Sequence, residues 1–165
     1  MAKVAERATA PTTPDVDEYA QKVRRGRADK YSYATFVGLK TVRLPEILKH
    51  IEGGLAFSAW ERLRRNTALS TTDLAALVQI PLRTLHRRKE EGRFQPDESD
   101  RLLRASRLFA RALDLFEGDA ESAREWLSAS QPALGGAKPI AVARTEVGAK
   151  EVESLIGRLE HGIPS

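Results

Sequence analysis

Residues 70–89 read STTDLAALVQIPLRTLHRRK, and the fold of the whole chain turns on this stretch. Ser70 is placed to cap a first helix, with Asp73 three residues on at its positively polarised N-terminal turn. Leu74, Ala75, Leu77 and Val78 then share one inner face, and Ala75 is small enough for a second helix to cross close above it. Ile80 plugs the corner, and Pro81 sets φ for a new helix beginning at Leu82. Leu85 turns inward, while Arg83, Thr84, His86, Arg87, Arg88 and Lys89 stay largely outside. Apolar spacing, corner and basic face coincide, which predicts a helix-turn-helix. Its second helix offers donors to phosphates and guanine edges in a major groove, with Arg83, Thr84, Arg87, Arg88 and Lys89 as the candidate contacts. The alternative for the same residues is a solvated helix in an ordinary bundle.

Composition narrows the field. At 165 residues the chain holds one domain or two small ones, and either can bury a core. It contains no cysteine, which removes disulfides, thiolate metal sites and thiol nucleophiles. His50, His86 and His161 lie far apart without ligand spacing, so no metal site and no cofactor are expected. No histidine stands beside an evident nucleophile or carboxylate partner, so the chain does not read as an enzyme. No apolar run approaches the ~20 residues of a membrane span, and a soluble cytoplasmic protein is the expectation. Charge is divided unevenly: residues 1–111 carry 22 Lys and Arg against 14 Asp and Glu, and residues 112–165 carry 5 against 9. A basic front and an acidic back suggest two different partners.

Around the central stretch the chain reads as helices. Residues 1–30 form the expected flexible tail: 1–14 are short of large apolar residues, and 21–30 hold Lys22, Arg24, Arg25, Arg27 and Lys30, a solvated arm or one that lies along DNA. Residues 31–44 are more apolar, but their period is ambiguous between helix and strand. Pro45 opens a helix that ends at Gly53 and Gly54, and Ser58 with Glu61 forms a capping box for the next. A long amphipathic helix restarts near Asp97 and carries Leu102, Ala105, Phe109, Ala112 and Leu113, with Arg101, Arg104, Arg107 and Arg111 elsewhere on it. Asp119 and Thr145 are placed to cap two further helices, the last with Val152, Leu155, Ile156 and Leu159 on one face. Residues 135 and 136 form a Gly pair in a loop without the Lys-Ser/Thr ending of a nucleotide-binding turn.

The back of the chain then resembles something specific. Residues 123–163, AREWLSASQPALGGAKPIAVARTEVGAKEVESLIGRLEHGI, look like the C-terminal toxin-binding domain of Xre/MbcA/ParS-type antitoxins. The shared features are Ala123, Trp126-Leu127, Leu134 with Gly136, Pro139-Ile140, Thr145 with Gly148, and Gly162. Residues 84–104, TLHRRKEEGRFQPDESDRLLR, are similar to the same family's helix-turn-helix and linker, so the resemblance spans about residues 44–165. Three positions depart from it: Gln79 stands where the corner often has Gly, Pro81 where Ser or Thr usually caps, and Arg88 at a position often apolar.

The resemblance implies an all-α protein with a helix-turn-helix domain at 31–97 and a small helical toxin-binding domain at 98–165. It implies an antitoxin of a type II system whose partner is a RES-domain toxin, an enzyme that consumes NAD⁺. The antitoxin occludes the toxin's active site and represses its own operon by binding operator DNA; a stand-alone transcriptional regulator is the alternative. One recognition helix spans few base pairs, so a homodimer is expected. A pocket for a pyrophosphate presents cations, so the acidic last helix is the expected plug. Glu151, Glu153 and Glu160 supply carboxylates, Leu155, Leu159 and Ile163 an apolar anchor, and His161 to the Ser165 carboxylate the tip, with Glu153 and residues 161–165 foremost.

Overall fold

The computed structural model describes residues 11–163. Its helices are α1 (Pro14–Arg24), α2 (Leu44–Gly53), α3 (Ser58–Thr67), α4 (Thr71–Leu77), α5 (Leu82–Glu91), α6 (Pro96–Leu115), α7 (Ala120–Ser128), α8 (Pro139–Val142) and α9 (Glu146–Glu160). Between them lie 3₁₀ turns at Ser32–Val37 and Pro132–Leu134. The fold is all-α, and the one β-type pairing among the described residues is an isolated bridge between Ala56 and Arg93.

The helix-turn-helix forms as its residues dictate. Ser70 Oγ accepts the Asp73 amide at 3.0 Å, and Leu74, Ala75, Leu77 and Val78 are buried beneath the crossing helix. Gln79 holds the corner at φ 52°, the left-handed conformation that glycine adopts at less cost. Ile80 is sealed at 1 % exposure. The capping box expected from Ser58 and Glu61 does not form: α3 starts at Ser58 itself, behind Phe57, without a side-chain cap. The Phe57 amide donates to the Gly92 carbonyl at 2.9 Å and so fastens the start of α3 to the end of α5.

Helix α6 organises the rest. It packs against α2, α3 and the first 3₁₀ turn on one side and against α7 and α9 on the other. Leu102, Ala112 and Leu113 along it are fully buried, so front and back of the chain share one continuous core. The ambiguous stretch after Tyr31 is the 3₁₀ turn, whose Phe36 stands between Tyr19 at 5.1 Å and Phe109 at 5.3 Å.

The expectation of a flexible tail through residue 30 is corrected at Pro14–Arg24, which is helix α1; residues 1–10 lie outside the described residues. Thr13 caps α1, Pro14 opens it, and Val16, Tyr19 and Ala20 form a short buried stripe. Its hold on the core is also polar. Arg62 donates twice to Asp15 at 2.7 Å, Asn66 donates to the same carboxylate at 2.9 Å, and Tyr19 donates to Asp114 at 2.9 Å. Burial raises the Tyr19 hydroxyl and the Asp114 carboxyl above their ordinary pKa values. The close approach depends on Gly118, at φ 87°, where a Cβ would lie 2.8 Å from the Ala20 methyl.

Candidate functional site

Two surfaces carry the sequence-derived candidates. The first is the outer face of α5. Arg83, Arg87 and Lys89 are exposed and Thr84 is half-buried. Arg87 keeps only a loose approach to Glu91, at 3.9 Å between two exposed side chains, so its guanidinium remains available to a polyanion.

Arg88 is corrected: it is not a surface contact. At 100° per residue it lies 60° from Leu85 and turns into the core, where it is 8 % exposed. Its guanidinium donates to Glu98 through Nε at 2.7 Å and Nη2 at 2.9 Å, and through Nη1 to Glu91 at 2.8 Å. The Glu98 carboxylate also accepts the Gln95 amide at 2.8 Å, closing the cap of α6. Burial by itself raises the Glu98 carboxyl; Arg88 and the Gln95 N–H outweigh it and hold the group below its ordinary range. Arg88 stands one helical turn from buried Leu85, and that spacing is the signal that it is a core side chain. Arg101 adds a second tie by donating to the Val78 carbonyl at 2.7 Å, at the end of α4. Helix α5 is therefore braced on α6 rather than left on a loop.

Sequence reading puts His86 on the outer face without a contact role and treats Leu82 only as the start of the helix. In the structure Leu82, His86 and Lys89 line a groove against Arg64 and Trp60 of α3. Leu82 lies 60° from Leu85 on the side away from Arg88, outside the buried seam, and that angle can be read from the sequence.

The second surface is α9, and here most of the carboxylates are already engaged. Arg104 binds Glu146 at 3.0 Å, Arg107 binds Glu153 at 2.7 Å and Arg111 binds Glu160 at 3.0 Å, a ladder that docks α9 on α6. In the folded chain Glu153 and Glu160 therefore pair with α6, and Glu160 stays exposed beside its partner. Leu155 is corrected: at 1 % exposure it is core and anchors nothing outside. Of the expected plug, Glu151, Leu159, Glu160, His161 and Ile163 are exposed, and Ser165 lies outside the described residues. Val147, at 75 % exposure, shares the outer face of α9 with Glu151. The Thr-x-x-Gly signature has a physical basis: Thr145 Oγ1 accepts the Gly148 amide at 3.0 Å, and a Cβ on Gly148 would meet the Val142 carbonyl at 1.8 Å.

Arg124 of α7 ties the back of the chain to α3: it donates to the Asn66 carbonyl at 2.9 Å and lies over the Phe109 ring of α6. Among the described residues no cluster of His, Cys, Asp and Glu is arranged to hold a metal ion, and no helix is long and apolar enough to cross a membrane.

Comparison with known proteins divides the chain in the same order. Residues 46–107 match the antitoxin Xre-like helix-turn-helix domain, and residues 111–162 match the antitoxin Xre/MbcA/ParS C-terminal toxin-binding domain. Antitoxin Xre of Yersinia enterocolitica is 36 % identical over 128 residues, covering 77 % of this chain and 86 % of that protein. Antitoxin Xre of Photorhabdus laumondii is 33 % identical over 130 residues, covering 78 % and 88 %. Antitoxin Xre of Pseudomonas putida is 34 % identical over 120 residues, covering 71 % and 72 %.

Proposed function

We propose, because this chain belongs to the Xre family of antitoxins, that it neutralises a RES-domain toxin by covering the toxin's NAD⁺-consuming site and represses its own operon. The observation that carries this reading is the succession of a helix-turn-helix match and a toxin-binding match along one chain. The chain itself performs no chemistry in this reading.

The DNA function is assigned to residues 31–97. Arg83, Arg87 and Lys89 supply cations, Thr84 a hydroxyl, and the Arg88–Glu98 pair the rigidity that fixes their register. Two copies of the chain bring two such helices to half-sites about one helical turn apart.

The toxin function is assigned to residues 98–165. With Glu153 and Glu160 engaged by α6, the contact set becomes Val147, Glu151 and Leu159 of α9 together with residues 161–165. Apolar Val147, Leu159 and Ile163 supply buried anchor area, and Glu151 meets the positive rim of a pocket built for a pyrophosphate.

Co-expression tests the proposal. The chain is produced with the product of its neighbouring gene, the pair is purified through a tag on one partner, and cellular NAD⁺ is measured. Co-purification together with preserved NAD⁺ supports the reading. A neighbour that depletes NAD⁺ equally with and without the chain contradicts it.

A further inference from the structure

The helix-turn-helix holds one large apolar side chain that the core does not use. Leu74, Leu77, Val78, Ile80 and Leu85 are all at or below 7 % exposure, whereas Leu82 is 50 % exposed. It is the first residue of α5, and it stands on a ridge between two concavities. One concavity sets Thr72 and Gln79 beside small apolar residues; the other sets Glu61, Arg64, His86 and Lys89 beside Phe57 and Trp60. Exposed Arg83, His86, Arg87 and Lys89 follow Leu82 on the same helix, and this run of cations favours a polyanion over a protein partner. With Leu82 beside them, the face suits a polyanion that itself presents a small apolar group. In a DNA major groove that group is the thymine C5-methyl, and the N-terminal residues of a recognition helix are those that reach base edges.

We propose that Leu82 reads a thymine methyl in each operator half-site, beside the polar and charged contacts made by Arg83 and His86. The inference rests on the assignment of α5 to DNA and adds the class of base that this position selects. Arg83 follows Leu82 directly and His86 stands one turn on, so the three side chains cover neighbouring base pairs. The contact removes apolar area from water on both sides, and it is lost when the methyl is absent.

The test exchanges the methyl on the DNA and the side chain on the protein. The full chain and its Leu82→Ala variant are titrated against the DNA upstream of the chain's own gene, made either with thymidine or with deoxyuridine throughout. Uracil pairs as thymine does and lacks only the methyl. The full chain is expected to bind the uracil DNA about fivefold more weakly per half-site. Leu82→Ala is expected to bind thymine DNA with that weakened affinity and to show no further loss on uracil DNA. Leu82→Met, which keeps an apolar end, retains the preference, so loss of binding through misfolding is distinguished from loss of the contact. Specific binding by the full chain that ignores the methyl overturns the role of Leu82 alone, as does a Leu82→Ala variant that remains sensitive to it. Absence of any specific binding to the thymine DNA overturns the assignment of α5 and this inference with it.

Discussion

Arg88 and Glu98 are joined by two parallel hydrogen bonds of 2.7 and 2.9 Å beneath the recognition helix, so a residue that reads as a surface cation is a structural strut. The pair sits at 10 % and 7 % side-chain exposure, where each partner depends on the other to offset its own desolvation. Removing Glu98 leaves the buried Arg88 with only the part-exposed Glu91 as counter-charge, and removing Arg88 leaves Glu98 with none among the described residues. Glu98→Ala is therefore expected to cost about 3–5 kcal/mol in urea unfolding, whereas the double variant Arg88→Met, Glu98→Leu recovers most of that loss. Equal destabilisation by the single and double variants would show that the strut is not an interacting pair.

The same pair sets a pH dependence. Arg88 and the Gln95 N–H hold the Glu98 carboxyl below its ordinary value against the upward pull of burial. As pH falls, the unfolded chain takes up this proton before the folded one does. The contribution of Glu98 is complete above the unfolded glutamate value of about 4.3 and is lost as pH drops through the folded value. Glu98→Gln removes that contribution at neutral pH and leaves a shallower decline of stability toward acid. Urea midpoints measured from pH 7 to pH 3 check this, and parallel curves for the two proteins would contradict it.

On the DNA side the prediction separates Arg87 from its neighbour. Arg87→Ala and Lys89→Ala are each expected to weaken binding to upstream DNA and to reduce the slope of log affinity against log salt by about one. Arg88→Met, made together with Glu98→Leu so that no buried charge is left, leaves that slope unchanged, because the Arg88 guanidinium is occupied inside the protein. A salt titration in which this double variant lowers the slope as much as Arg87→Ala would return Arg88 to the surface.

On the other face, the ladder between α6 and α9 predicts a split among glutamates. Glu153 is matched by Arg107 at 2.7 Å in a part-exposed setting, so Glu153→Ala is expected to cost about 1 kcal/mol of stability while toxin neutralisation persists. Glu151→Lys, on the outer face, leaves the melting temperature in place and weakens neutralisation. NAD⁺ measured at graded expression of the antitoxin distinguishes the two. Loss of protection in a folded Glu153→Ala protein would mean that this carboxylate leaves α6 for the toxin.

Gly118 offers a packing test of helix α1. Its φ of 87° and the 2.8 Å clearance to Ala20 leave no room for a methyl. Gly118→Ala is expected to lower stability by about 1–3 kcal/mol and to expose residues 14–24 to protease first. Unchanged cleavage there would show that α1 is held by its ion pairs alone.

These residues also show which parts of the fold can be read from sequence. The α4–α5 unit is legible because its signals are local: a serine cap, an apolar stripe, a proline at the corner, each within four residues of what it controls. Helix α1 is hidden because it buries only Val16, Tyr19 and Ala20, and its other supports, Arg62 and Asp114, stand 47 and 95 residues away from their partners. The site divides in the same way. The outer face of α5 follows from helical angle, but the fate of each carboxylate on α9 depends on where α6 lies. Only the docked pair reveals that Glu146, Glu153 and Glu160 answer Arg104, Arg107 and Arg111.

Paired loss-of-contact variants ask whether α5 meets DNA while the last helix and its tip meet the toxin. Upstream-DNA affinity and NAD⁺ protection are measured together for Arg83→Ala, Arg87→Ala in one protein and Glu151→Lys, Ile163→Asp in another. The first is predicted to lose DNA binding and keep protection, and the second to keep DNA binding and lose protection. If either folded variant loses both activities, or neither variant loses its own, the assignment of the two faces is wrong.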